Sequence, residues 1–227
     1  MAESCLLYYI TDRTAFSGDE PTRRQRLLDK IAEATERGID YIQLREKDLT
    51  ARELETLTRE TMNIIRQRSS GSPEARTVLL INSRTDVALA AGADGVHLRS
   101  DDVSPADVRA AWRSGASDGK KPVIGISCHS AAGVARAAAD GAAFAVFAPV
   151  FEKKDAAASG LDALREACDA AIPVLALGGV TVRNAPSCLH AGAAGIAGIR
   201  LFQENDIASV VRAVRDSFER LQLRGST

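Results

Sequence analysis

The stretch QLREKD, residues 43–48, gathers more reactive side chains than its neighbours. In an extended strand side chains alternate, so Gln43, Arg45 and Lys47 share one face while Leu44 and Glu46 take the other. Arg45 brings a planar fork of donors and Lys47 a point charge, and both suit phosphate oxygens. Gln43 donates and accepts at once, as the edge of a heterocycle requires. The competing reading is a salt-bridge layer. Two cations in a mouth built to exclude water call for an anionic partner, which favours the anion site.

A second anion signal is LGGVT, residues 177–181, followed by GIR at 198–200. Gly178 and Gly179 let backbone N–H groups approach an anion closely, although a purely structural turn needs the same residues. Asp101 and Asp102 stand after a short apolar run. A carboxylate there could hold Mg2+ that also touches a diphosphate, or cap the helix expected from Ser104–Pro105; the residues alone leave both open. Ser127 points with the interior of its strand and is the better site residue than His129, which reads as a structural group near a helix start. Cys5, Cys128, Cys168 and Cys188 are scattered without a CxxC pair, which predicts reduced thiols in a cytoplasmic protein rather than a zinc or dithiol site.

These residues need a frame. Strand-like runs at 6–12, 39–46, 77–82, 95–98, 123–128, 144–150, 173–179 and 195–202 alternate with helical segments at 22–37, 50–67, 86–91, 104–113, 130–140, 161–170, 184–190 and 206–223. Eight strands each followed by a helix imply a parallel sheet, because short connections cannot join parallel strands without a crossover. Gly38, Gly92, Gly141 and Gly192 each fall between a helix and an even-numbered strand. That recurring stop signal favours a closed barrel over an open sheet. The expectation is one α/β domain over 1–227, a single TIM (β/α)8 barrel, with its chemistry at the C-terminal strand ends.

The 227 residues suffice for one such barrel. Lys and Arg number 29 against 30 Asp and Glu, a net charge of -1, which gives no footprint for nucleic acid or an anionic membrane. The N-terminal segment lacks the basic start and apolar stretch of a signal peptide. Composition leaves a homo-oligomer open.

The chain resembles the thiamine-phosphate synthase family and its thiazole-tautomerase relatives. The resemblance rests on YYITD, YIQLREKDLTARE, LLINSRTDVALAAGADGVHLRSDD, IGISCHS, FAPVF, GLDALR, PVLALGGVT and AGAAGIAGI, which follow the family's order over nearly the whole chain. It implies a transferase that joins a hydroxymethylpyrimidine diphosphate to a thiazole phosphate and releases diphosphate, with Mg2+ as cofactor. Carried over by position, Gln43, Arg45, Lys47 and Asn82 would contact the pyrimidine diphosphate, and Ser127 would sit beside it. Asp102 would bind Mg2+. Gly178, Gly179 and the backbone at Ile199 and Arg200 would hold the thiazole phosphate.

Three positions depart from the family pattern. The Asn-Asp pair at the end of the third strand is Asn82-Ser83, so a neutral hydroxyl replaces a metal-binding carboxylate. The Thr-x-Thr-Lys loop after the sixth strand is the shorter APVFEKKDAAASGL, where Lys153 or Lys154 stands for the family lysine and the hydroxyls are gone. The small serine after the eighth-strand isoleucine is Arg200. The histidine that some tautomerases carry near the sixth strand falls at Pro149. The reading is therefore a synthase, with a tautomerase-like isomerase or a noncatalytic phosphate-ligand barrel as alternatives.

Overall fold

The computed structural model describes residues 4–68, 76–115, 119–152 and 157–225. Eight strands alternate with helices: β1 (Leu6–Ile10), α1 (Glu20–Glu36), β2 (Tyr41–Leu44), α2 (Ala51–Arg68), β3 (Val78–Asn82), α3 (Thr85–Ala91), β4 (Gly95–Leu98), α4 (Pro105–Gly115), β5 (Val123–Cys128), α5 (Ala131–Ala139), β6 (Phe144–Phe147), α6 (Gly160–Cys168), β7 (Val174–Ala176), α7 (Ala185–His190), β8 (Gly195–Gly198), α8 (Arg200–Gln203) and α9 (Ile207–Gly225). Every strand pairs in parallel with the next, and β8 returns to β1, closing one barrel.

Local chemistry explains the boundaries. Thr50 and Glu53 form a reciprocal capping box at the start of α2, and Ser130 accepts the Gly133 N–H at the start of α5. Gly38, Gly92, Gly141 and Gly192 have φ of 76°, 70°, 78° and 103°, the left-handed stops expected before the even-numbered strands. Inside the barrel Tyr8, Ile10, Leu80, Phe144, Val146, Leu175 and Ala197 pack into a solid plug. A larger apolar layer between sheet and helices covers the outer face. The interior is therefore filled, and open space remains only at the ends.

Several expected boundaries move. The first strand stops at Ile10, because Thr11 turns its hydroxyl to Glu46 and residues 13–15 form a 3-10 turn. Helix α1 begins at Glu20 rather than 22, capped by the Asp19 carboxylate, which accepts the Thr22 N–H at 3.1 Å. The eighth strand ends at Gly198, and residues expected to continue it form α8. There Gln203 bonds Tyr9 Oη and the Asp12 carbonyl, at 3.1 and 2.7 Å. A tertiary contact across the barrel seam thus overrides the local apolar pattern.

Candidate active site

The C-terminal strand ends open into a cleft of about 630 Å³. Its floor has two halves. Gln43, Asn82, His97 and Ser127, from four consecutive strands β2–β5, form a polar arc, and Ile10, Leu177 and Ile199 form an apolar one. Register builds the polar arc: Asn82 pairs with His97, and His97 with Gly125. Gln43 is buried, and its amide bonds Tyr8 Oη at 2.9 Å. A flat molecule lying across this floor meets hydrogen-bonding groups on one side and apolar carbon on the other.

Four cationic side chains, Arg45, Lys47, Arg84 and Arg99, line the walls above. Arg45 and Lys47 follow the end of β2 and are held by a buried anchor. Thr11 Oγ1 accepts the Arg45 N–H at 3.1 Å and donates to Glu46 at 2.5 Å. Glu46, on the opposite strand face, also accepts from the Arg13 N–H and guanidinium at 3.0 and 3.2 Å. Arg13 then forks onto Asp48 at 2.7 and 2.8 Å. Asp48 above all, with help from Glu20 and Glu46, overcomes burial and holds the Arg13 charge firmly. QLREKD thus divides its labour: Gln43, Arg45 and Lys47 line the cleft, while Glu46 at its edge ties the segment to the chain that follows β1.

Ser83 and Asp102 meet at the ends of β3 and β4. The Ser83 hydroxyl donates to Asp102 Oδ2 at 2.5 Å, and the same oxygen accepts the Arg99 N–H at 2.8 Å. The Arg99 guanidinium lies 3.3 Å from Oδ1. Burial opposes the charge on Asp102, yet these hydrogen bonds outweigh it and hold the carboxyl below its ordinary range. Asp102 is not the cap of α4; Ser104 fills that role, accepting the Asp107 N–H at 3.2 Å. Ser83 adopts φ 58°, a left-handed conformation where Asp and Asn are the best tolerated residues after glycine. Among the described residues no three His, Cys, Asp or Glu side chains converge on a metal position. One ionised carboxylate beside one hydroxyl fits a Mg2+ completed by water and a ligand's phosphates, and does not fit an all-protein cage.

His97 is 2% exposed, and its Nε2 lies 2.8 Å from Ser127 Oγ. Burial pushes its pKa down to about 3, with Arg45 reinforcing and Asp102 opposing, so the ring is neutral at physiological pH. His129 is exposed on the cleft wall and bonds the Ala148 carbonyl through Nδ1 at 2.6 Å. The thiols offer no nucleophile: burial pushes Cys5 and Cys188 up to about 12, and Cys128 and Cys168 up to about 11.

The expected site residues divide in three. Gln43, Arg45, Lys47, Asn82, Ser83, Ser127 and Ile199 line the one cleft. Gly178, Gly179, Arg200 and Asp102 do not line it, although each lies within two residues of one that does, Leu177, Ile199 or Asp101; Arg200 is exposed. At Gly178 a Cβ would lie 2.6 Å from Pro149 Cα, and at Gly179 it would lie 2.8 Å from Phe151 Cβ. These glycines are required by packing against the chain after β6, whatever else they bind. Lys153 and Lys154 lie outside the described residues. Sequence reasoning overlooked His97 and the Thr11–Arg13–Glu46 anchor. Counting alternation along GVHL from Gly95 would have turned His97 inward.

Comparison with known proteins supplies the family. The profile of a family described as thiamine monophosphate synthase matches residues 7–202. The chain is 35% identical over 225 residues to a thiamine-phosphate synthase of Methanoculleus marisnigri, covering 96% of this chain and 98% of that one. It is 38% identical over 198 residues to a thiamine-phosphate synthase of Roseiflexus castenholzii, covering 85% and 78%. Among solved structures, thiamine phosphate pyrophosphorylase from Pyrococcus furiosus superposes with a TM-score of 0.76 and 28% identity, covering 95% and 96%. Closed barrel, cationic cleft and matched sequence agree, and the chain belongs to the thiamine monophosphate synthase family of transferases.

Proposed function

We propose that the family's transfer takes place in this cleft, with residue roles that follow from its geometry. In the reaction, the bond between the pyrimidine methylene carbon and the diphosphate oxygen breaks, and its electron pair leaves with diphosphate. The thiazole nitrogen then donates its lone pair to the methylene carbon, leaving a cationic thiazolium ring. Gln43, Asn82 and Ser127 fix the pyrimidine on the polar arc of the floor. Arg45 and Lys47 lie within reach of the departing diphosphate, where fixed positive charge counters the negative charge that develops. By the family resemblance, Lys153 or Lys154, outside the described residues, would be the further cation for the diphosphate. Gly178, Gly179 and the backbone at Ile199 and Arg200 receive the thiazole phosphate, so the two rings meet above the apolar half of the floor.

Asp102 and Ser83 would hold Mg2+, which supplies charge neutralisation for the diphosphate when bound. Asp102 brings the only carboxylate of the pair, and Ser83 keeps it in place. The protein's own share of catalysis is alignment and preorganised charge rather than proton transfer. The reading makes it a cytoplasmic enzyme of small phosphorylated substrates; no helix among the described residues is long and apolar enough to cross a membrane.

The carrying observation is that six residues expected to touch the pyrimidine diphosphate or its metal, from strand ends β2, β3 and β5, line one cleft with a cationic wall. The test is turnover with both phosphorylated heterocycles and Mg2+, read as diphosphate release. Isomerisation of the thiazole phosphate without metal or diphosphate would support a tautomerase instead. Tight binding of both ligands without product would support a noncatalytic barrel.

A further inference from the structure

The fold treats the two ring nitrogens of His97 unequally. Nε2 lies 2.8 Å from Ser127 Oγ, whereas Nδ1 is buried with no hydrogen-bond partner among the described residues. Tyr8 and Phe144 enclose the ring, with centroids 5.7 and 6.4 Å away. Gly125 backs it so closely that a Cβ there would stand 2.9 Å from Nδ1. A neutral imidazole carries one N–H and one lone pair. Placing the proton on Nδ1 would bury an N–H donor among apolar groups, a rarer and costlier defect than an unused acceptor. Protonating both nitrogens would bury an unpaired charge as well. The remaining state carries its proton on Nε2.

That state fixes the direction of the next hydrogen bond. Ser127 Oγ accepts from His97 Nε2–H, and the serine's own proton is left to point elsewhere. Ser127 and His97 both line the cleft, which gives that proton its outlet. We infer that His97 is a positioning residue that sets Ser127 as a hydrogen-bond donor into the cleft, selecting a ligand that presents an acceptor atom there. On the proposed function, whose reading of Ser127 as a substrate contact this rests on, the acceptor is a ring nitrogen or a diphosphate oxygen of the pyrimidine substrate.

The tautomer is read directly by long-range 15N–1H correlation on the wild-type protein at neutral pH. A proton on Nε2 of His97 is expected; a proton on Nδ1 overturns the inference. Kinetics test the consequence through His97→Leu, His97→Gln and Ser127→Ala. His97→Leu is expected to raise KM for the pyrimidine diphosphate by about three- to tenfold, the worth of one hydrogen bond, with KM for the thiazole phosphate unchanged. His97→Gln, whose amide can donate in place of Nε2–H, is expected to recover most of that loss. In a Ser127→Ala background His97→Leu should add nothing. A loss spread over both substrates, or one that adds in full to Ser127→Ala, removes the role assigned to His97 and leaves the site reading intact. If Ser127→Ala alone leaves KM for the pyrimidine diphosphate unchanged, the reading of Ser127 falls and the inference falls with it. Should His97→Leu fail to fold, the wild-type tautomer and the His97→Gln kinetics still decide.

Discussion

Arg45 and Ser83 show how much one side chain can be asked to do at the mouth of this barrel. Arg45 lines the cleft, and its backbone is pinned by Thr11. Removing its side chain therefore takes away charge without freeing the strand end. Arg45→Ala should weaken binding of the pyrimidine diphosphate by about 1.5–3 kcal/mol, the range for a charge-assisted hydrogen bond. Isothermal calorimetry checks it, and unchanged affinity in both Arg45→Ala and Lys47→Ala would remove the anion site from this strand end. Ser83 presents a hydroxyl where the family resemblance implies a carboxylate, at a φ of 58° that aspartate accepts readily. Ser83→Asp should accordingly lower the Mg2+ concentration that gives half-maximal turnover. Asp102→Asn should raise it or abolish activity. Three identical Mg2+ titrations would place the metal elsewhere.

Among the elements, the exits of β1 and β2 work as one unit. Glu46 is 5% exposed and takes hydrogen bonds from Thr11 and Arg13, and Arg13 is 4% exposed. Deleting the guanidinium leaves a buried carboxylate with its charge unpaired, a defect that costs about 3–5 kcal/mol. Arg13→Ala should lower the urea midpoint accordingly, and Arg13→Ala with Glu46→Leu should recover part of the loss by removing the stranded charge. If Arg13→Ala costs less than about 1 kcal/mol, the anchor is not holding the strand end. The same elements explain which site residues could be read without a structure. Alternation within QLREKD assigns Gln43, Arg45 and Lys47 to one face from local geometry alone. The partner of Glu46 sits 33 residues earlier, in a turn with no distinctive pattern of its own. Only the parallel pairing of β1 with β2 brings them together.

At the scale of the whole molecule, the buried His97 ties stability to pH. Its pKa lies near 3 in the folded chain and near 6.5 when unfolded. Between these values the unfolded chain binds the extra proton, so stability falls as pH drops from 6.5 toward 3, at up to about 1.4 kcal/mol per pH unit. Above pH 6.5 the group contributes no slope. His97→Gln should therefore lose about 2–3 kcal/mol less than wild type between pH 7 and pH 4.5. Denaturant titrations at the two pH values measure this, and parallel losses in both proteins would show that His97 is solvated. The proposed Mg2+ site has a whole-molecule signature too. Because its protein ligands are one carboxylate and one hydroxyl, Mg2+ should raise Tm appreciably only when the diphosphate ligand is present. Equal stabilisation by Mg2+ alone would mean a site complete without substrate.

What the sequence determined by itself is whatever depends on neighbours along the chain. The strand–helix alternation, the left-handed glycine stops before even-numbered strands, the caps at Thr50 and Ser130 and the shared face of Gln43, Arg45 and Lys47 all follow from short-range sterics and hydrogen bonding. Those features were sufficient for a closed barrel, and the structure opens a cleft at its C-terminal strand ends. Tertiary structure decided the rest. Gln203 drew the end of the eighth strand into a helix by bonding across the seam to Tyr9 and Asp12. Asp102, with helix capping and metal binding equally open to it in the sequence, was turned to Ser83 by the pairing of β3 with β4. His97, in a run as plain as GVHL, became a neutral partner of Ser127 because barrel closure surrounded it with Tyr8, Phe144 and Gly125. Burial and partners reached across the barrel are sums over the whole fold, and no window of sequence contains them.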